Sequence, residues 1–141
     1  MSVPRPKRGL SGVQFLDTAA KLETFSFRHS SRFPKRYTFS LTADIQNNAL
    51  KIYKNVAYAN SVYPIGTDNV EKREKAINEV LIALYEMVDT ISLADDLFGI
   101  PGNIMEEWMS LIDFEDKLLK GILKSDRRKL RDYLTEHGPV L

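Results

Sequence analysis

Between residues 41 and 59 apolar side chains return every three or four positions, at Leu41, Ile45, Ala49, Ile52, Val56 and Ala59, and Tyr63 extends the series. Asp44, Asn47, Asn48, Lys51 and Asn55 fill the positions between. That period places one face of an α-helix against a core and predicts a helix from about Phe39 to Ser61. The same period recurs elsewhere. Val13, Leu16, Ala20 and Phe27 mark one face of a helix from Ser11 to about Ser30, with Ser11 and Gln14 spaced as a capping box. Ile77, Val80, Leu81, Leu84, Val88 and Ile91 mark a helix from about Asn69 to Leu97. Ile104, Trp108, Leu111, Ile112, Leu118, Leu119 and Ile122 mark another, from about Asn103 to Lys124. This last helix either continues past Ser125 to Glu136 or gives way to a short helix that Ser125 caps.

The breaks between these segments have plain causes. Pro34 steers Phe33 away from helical angles, and Tyr63-Pro64-Ile65-Gly66-Thr67-Asp68 and Phe98-Gly99-Ile100-Pro101-Gly102 are breaker runs. Gly138-Pro139 ends the last segment. No segment alternates as a strand does. Long amphipathic helices joined by short loops predict an all-α fold, an antiparallel up-down four-helix bundle over residues 11–137. A flexible basic arm (1–10) is expected before it and a short tail (138–141) after it.

Composition narrows the classes. With 141 residues the chain fits one domain. It has no cysteine, which removes disulfides, thiolate metal ligands and thiol nucleophiles. No apolar run approaches the roughly 18 residues of a membrane span, and the first ten residues lack the apolar stretch of a secretory signal. A cytoplasmic location and no membrane partner are expected. The net charge of +1 conceals segregation. Residues 1–36 and 117–141 are rich in Lys and Arg, whereas residues 67–116 carry mostly Asp and Glu, against Lys72, Arg73 and Lys75.

Two basic groupings follow. At about 100° per residue Lys117, Lys120, Lys124, Arg127, Arg128 and Arg131 share one sector of the last helix. Leu111, Ile112, Leu118, Leu119, Ile122, Leu123, Leu130 and Leu134 lie opposite, and Asp113 and Asp126 are the carboxylates expected to dilute the row. Such a row is either a solvated face or a surface for an anionic partner, because a phosphate backbone binds cations through charge and counterion release. The second grouping is Arg28, Arg32, Lys35 and Arg36, interleaved with Phe27, Phe33, Tyr37 and Phe39. Cations with aromatics can hold phosphates while rings stack on unpaired bases. Packing at the bundle end is the expectation for Phe33 and Phe39, and Tyr37 is left open. Trp108 is expected in the core or as an anchor between subunits, and Tyr53, Tyr58 and Tyr85 widen the apolar faces of their helices.

Catalytic chemistry finds little footing. His29 and His137 are the two histidines, and no Glu-x-x-His pair is present to build a di-iron site in a bundle. The members of Asp95-Asp96 and Glu106-Glu107 diverge by about 100° on a helix and are expected as solvated charges. Gly66, Gly99 and Gly102 form no phosphate-cradling motif. The expectation is a protein without catalytic residues, metal or cofactor.

Phe33-Pro34-Lys35-Arg36-Tyr37, with Phe39 and Leu41, then Asn47-Asn48-Ala49-Leu50 and Ala57 to Asn60, resembles the start of the second helix in a family of small bacterial and phage bundle proteins. These are the accessory variability determinant (Avd) proteins of diversity-generating retroelements, grouped with the bundle proteins encoded in 23S rRNA intervening sequences. Ala76 to Ala94, and Leu118-Leu119-Lys120-Gly121-Ile122-Leu123-Lys124-Ser125-Asp126, fit the same pattern, so the likeness covers about residues 11–130. It implies a barrel-like homopentamer of bundles that binds the element's reverse transcriptase and template RNA or cDNA. Such a subunit supports mutagenic copying without catalysing it. Arg28, Arg32, Lys35 and Arg36, with the row from Lys117 to Arg131, are then the contact residues. The chain departs from the family in its long N-terminal basic arm and its near-neutral net charge, which suit localised basic patches or contact chiefly with the polymerase.

Overall fold

The computed structural model describes residues 10–137, with side chains from Gln14 onward. The regular elements among them are helical: α1 (Leu10–Ser30), α2 (Ala43–Ser61), α3 (Thr67–Phe98) and α4 (Gly102–His137). A 3-10 turn at Lys35–Tyr37 and a π-helical turn at Thr38–Thr42 lead into α2. Of the two readings of the last segment, the continuous helix is the observed one, 36 residues long with Ser125 in its interior. Residues 1–9 of the expected arm, the tail and the Ser11 capping bond lie outside the described residues and side chains.

Cross-helix contacts fix the direction of each helix. Thr42 Oγ1 donates to the Ser30 carbonyl (3.1 Å) and Gln46 Nε2 to Ser30 Oγ (3.2 Å), so α2 runs back along α1. Lys51 pairs with Glu79, and Arg73 reaches the Ala59 carbonyl, so α3 runs against α2. Tyr85 meets Asp116 and Glu74 meets Arg127, so α4 runs against α3. Trp108 Nε1 donates to Ser26 Oγ at 3.0 Å and closes α4 onto α1. The result is an up-down bundle with its apolar faces in one continuous core.

Most expected core positions are buried, including Ile45, Ile52, Val56, Ile77, Val80, Leu84, Ile91, Trp108 and Leu119. Several expectations need correction. The buried stripe of α1 is Phe15, Ala19, Leu22 and Phe25 together with Thr18, Ser26 and Ser30, whereas Leu16 and Phe27 are only partly buried. The hydroxyl residues bury because they find partners: Ser26 accepts from Trp108 and donates to Met87 Sδ at 3.6 Å. Phe39, expected in the core, is 96% exposed. It stands two residues before the buried Leu41, about 200° away around a helix, and so cannot share its face. Tyr63 is exposed because α2 stops at Ser61 and Val62 is extended (ψ 121°), which takes Tyr63 out of the helical phase. Asn48, expected on the polar side, is buried.

Among the described residues three charged side chains lie inside. Arg73 of α3 is sandwiched between α2 and α4: its Nε donates to Asp126 Oδ2 (2.7 Å), and its Nη1 donates to the carbonyls of Ala59 (2.8 Å) and Val62 (2.9 Å). Asp126 therefore points inward and does not dilute the basic row. Glu115 of α4 is 0% exposed. Neither carboxyl oxygen has a hydrogen-bond partner among the described residues.

Candidate functional site

The basic corner is built by the end of α1. Pro34 adopts extended angles (φ −52°, ψ 139°) and the chain turns back, with Phe33 N–H donating to the Ser30 carbonyl at 3.1 Å and Tyr37 N–H to the Pro34 carbonyl at 2.9 Å. Phe33 goes into the core, edge-on to Phe98 at 4.9 Å between ring centroids. Tyr37 stacks on Phe98 at 5.4 Å, and the Arg36 guanidinium sits 5.3 Å from the Tyr37 ring centroid. Aromatic packing thus seals this end of the bundle and holds Arg36 on its outer surface. Lys35 and Phe39 are exposed beside it.

The four cations of the corner do not converge on one spot. Arg28 lies along the groove between α1 and α4, with Asp17, Lys21 and Glu107. Arg32 stands at the mouth of a separate cavity with His29. Burial lowers the His29 pKa below its ordinary value, and the charges of Arg32 and Arg28 lower it further against the opposing pull of Glu107. The imidazole is therefore neutral at neutral pH.

The row on α4 is exposed throughout, at Lys117, Lys120, Lys124, Arg127, Arg128 and Arg131. Half of it is engaged within the chain. Lys117 pairs with Asp113 (2.9 Å), Lys120 with Asp116 (3.0 Å) and Arg127 with Glu74 through two bonds of 2.6 Å. These hydrogen bonds raise the Lys120 and Arg127 pKa values, Lys120 through Asp116 first and then Tyr85, whose ring it also faces at 5.8 Å. Lys124, Arg128 and Arg131 form no ion pair with the described residues. From Lys117 to Arg131 the row covers about 20 Å of helix at ~1.5 Å per residue. One DNA strand carries about six phosphates over that length of duplex.

The two basic groupings belong to opposite halves of the bundle. Ile104 of α4 packs near the corner and Lys124 centres the row, about 30 Å further along the helix. Sequence spacing divided the ten cations into a row and a corner cluster but did not show that Arg28 and Arg32 stand apart within the corner. It also could not tell which ones find carboxylates on neighbouring helices. Asp95 is exposed, as expected of a solvated charge, and also accepts the Ile100 N–H at 2.8 Å, which pins the loop between α3 and α4.

Among the described residues no cluster of three or more His, Asp or Glu is arranged to hold a metal ion, and no helix is long and apolar enough to cross a membrane. No protein-family model, curated protein or solved structure matches the chain.

Proposed function

We propose that this chain is a non-enzymatic accessory subunit of a diversity-generating retroelement. In this reading it binds the element's reverse transcriptase and its template RNA or cDNA, assembles with copies of itself into a barrel-like ring, as a pentamer, and works in the cytoplasm. The observation that carries the nucleic-acid part is the row on α4, with six exposed cations over about 20 Å, of which Lys124, Arg128 and Arg131 have no intramolecular carboxylate among the described residues. A flexible single strand can lay its phosphates along such a row without any base being read. The exposed Lys35, Arg36 and Phe39 offer the second contact, with the ring available for stacking.

The test is RNA binding as a function of salt. With three to six cations engaged, log affinity for single-stranded RNA should fall against log salt with a slope between about −2 and −4. The triple variant K124E/R128E/R131E should lose at least half of that slope. Binding that responds neither to salt nor to these substitutions would remove the nucleic acid and leave the polymerase as the partner.

A second reading has its own support. Lys117, Lys120 and Arg127 already hold carboxylates of the same chain. The outer face of α3 exposes Ile82, Leu93 and Leu97 among Glu86, Asp89 and Asp96. A protein-interaction module without nucleic-acid binding would dock its basic row on such an acidic and apolar face of a neighbour.

A further inference from the structure

The corner that seals the bundle end leaves a hole behind it. Phe33, Phe98, Ile100 and Ile104 line a pocket of about 190 Å³, with the fully buried Trp108 behind it and Gly99 and Pro101 of the α3–α4 loop along its edge. Its walls are rings and branched aliphatics held from four directions, by the end of α1, the corner, the loop and α4. Trp108 has no spare polar group to offer it, because its N–H is already given to Ser26. An apolar cavity of roughly 150 Å³ in a protein core is enough to take benzene in preference to water. This one is slightly larger and opens to the surface.

At the mouth the chemistry changes. Arg32 is exposed and forms no ion pair with the described residues, and His29 stands next to it with its ring 4.2 Å from Phe25. Glu107 of α4 is near enough to act on the His29 charge, and it lines the α1–α4 groove with Arg28. A guanidinium at the rim of an apolar hole binds a carboxylate or phosphate through a planar fork of donors.

We propose that this pocket is a binding site for a planar aromatic ring bearing an anionic group, the ring against Phe98, Ile100 and Ile104 and the anion on Arg32. A small aromatic acid and a nucleotide, free or unpaired at the end of a strand, share that chemistry. The volume admits one ring system and leaves the sugar and phosphate of a nucleotide outside, on the side of Arg32. The site does not depend on the retroelement reading and would exist in a bundle that never meets RNA.

Trp108 is the single tryptophan of the chain and lies buried directly behind the pocket, so its emission serves as the readout of occupancy. The full-length protein would be titrated with benzoate, with uncharged benzamide, with adenosine monophosphate and with adenosine. The expected result is saturable change of Trp108 emission by one or both anions, each at least about tenfold tighter than its neutral counterpart. One ion pair of about 1.4 kcal/mol gives that factor. R32A, at an exposed position, should erase the difference between anion and neutral ring while leaving the neutral ligand's affinity unchanged. I104F should fill the pocket and abolish the response, and R32A keeps the test valid if that variant fails to fold. Response to adenosine monophosphate but not benzoate would identify the nucleotide as the source, and the reverse would identify a small acid. No saturable response to any of the four, or an anion preference untouched by R32A, would overturn the proposal.

Discussion

A carboxyl group inside an apolar core is costly in either charge state, and Glu115 is the residue on which that cost falls. Its side chain is buried in α4 between Ile112 and Leu119, two positions that also face inward. With no donor near either oxygen, burial pushes its pKa up from 4.5 to about 9. The folded protein therefore keeps a proton that the unfolded chain releases above pH 4.5. Between these two values the folded state binds more protons, so rising pH destabilises it, by up to about 1.4 kcal/mol per pH unit. Below the lower value this group adds no pH dependence. Urea unfolding near pH 5 and near pH 8 should show E115M more stable than wild type at both, by about 1–3 kcal/mol near pH 5 and by a few kcal/mol more near pH 8. A gap of equal size at the two pH values would mean that Glu115 is not held protonated. Nothing in the sequence distinguished Glu115 from the acidic surface around it except its phase. It falls three residues after Ile112 and four before Leu119, and reading charge before phase concealed it.

At the scale of elements, the joint that matters most is the one Arg73 makes. The last carbonyls of a helix lack part of their intrahelical hydrogen bonding; at the end of α2 the Ala59 carbonyl accepts the Val62 N–H and also Arg73, and the carbonyl of Val62, just past the helix, accepts Arg73 as well. The remaining face of the guanidinium meets Asp126, so a single side chain of α3 fastens the end of α2 and the middle of α4. Removing one partner of such a pair leaves the other charge buried, at a cost of about 3–5 kcal/mol. R73A and D126A should each lower the unfolding free energy by that order. R73M/D126L, which removes both charges and keeps the volume, should cost clearly less than the sum of the singles. Additive losses would show that the two residues act independently. This joint also marks the limit of what the pattern of apolar residues conveys. The four helices, their breaks and most of the core were legible, because burial follows the 3.6-residue period wherever the residue is plainly apolar. Arg73, Asp126 and Ser26 escaped, because a polar residue goes inside when a partner on another helix satisfies it, and that partner is set by packing; Asn48 is buried with its amide nitrogen unpaired among the described residues. Phe39 and Tyr63 escaped for the opposite reason: each is apolar enough for a core, but the local backbone turns it to solvent.

Across the whole molecule, acidic charge gathers in the half of the bundle that also holds the basic corner, and the basic row lies in the other half. Glu86, Asp89, Asp95 and Asp96 on α3, with Glu106 and Glu107 on α4, are exposed in the half of the bundle near the α3–α4 loop, whereas the row from Lys117 to Arg131 occupies the other half. The candidate site was legible at this scale, since the segregation is visible along the sequence, but its division into an engaged and a free half was not. Lys117 and Lys120 find Asp113 and Asp116 four residues earlier on α4 itself, whereas the pairing of Arg127 with Glu74 depends on the rotation of α4 against α3. Two unlike faces on one subunit favour a head-to-tail contact, and repeated head-to-tail contacts close into a ring when the rotation allows. The proposed assembly therefore makes a definite demand on mass. Light scattering at low salt should give a fixed multiple of 16.1 kDa. Raising salt from about 0.1 to 1 M shortens the screening length from about 10 to 3 Å, which should shift the population toward the monomer if the charged faces hold the contact. I82E/L93E, on the outer face of α3, should dissociate it at any salt if the exposed apolar residues carry the energy instead. A single-chain mass at every salt and concentration would leave the basic row without a second copy to meet.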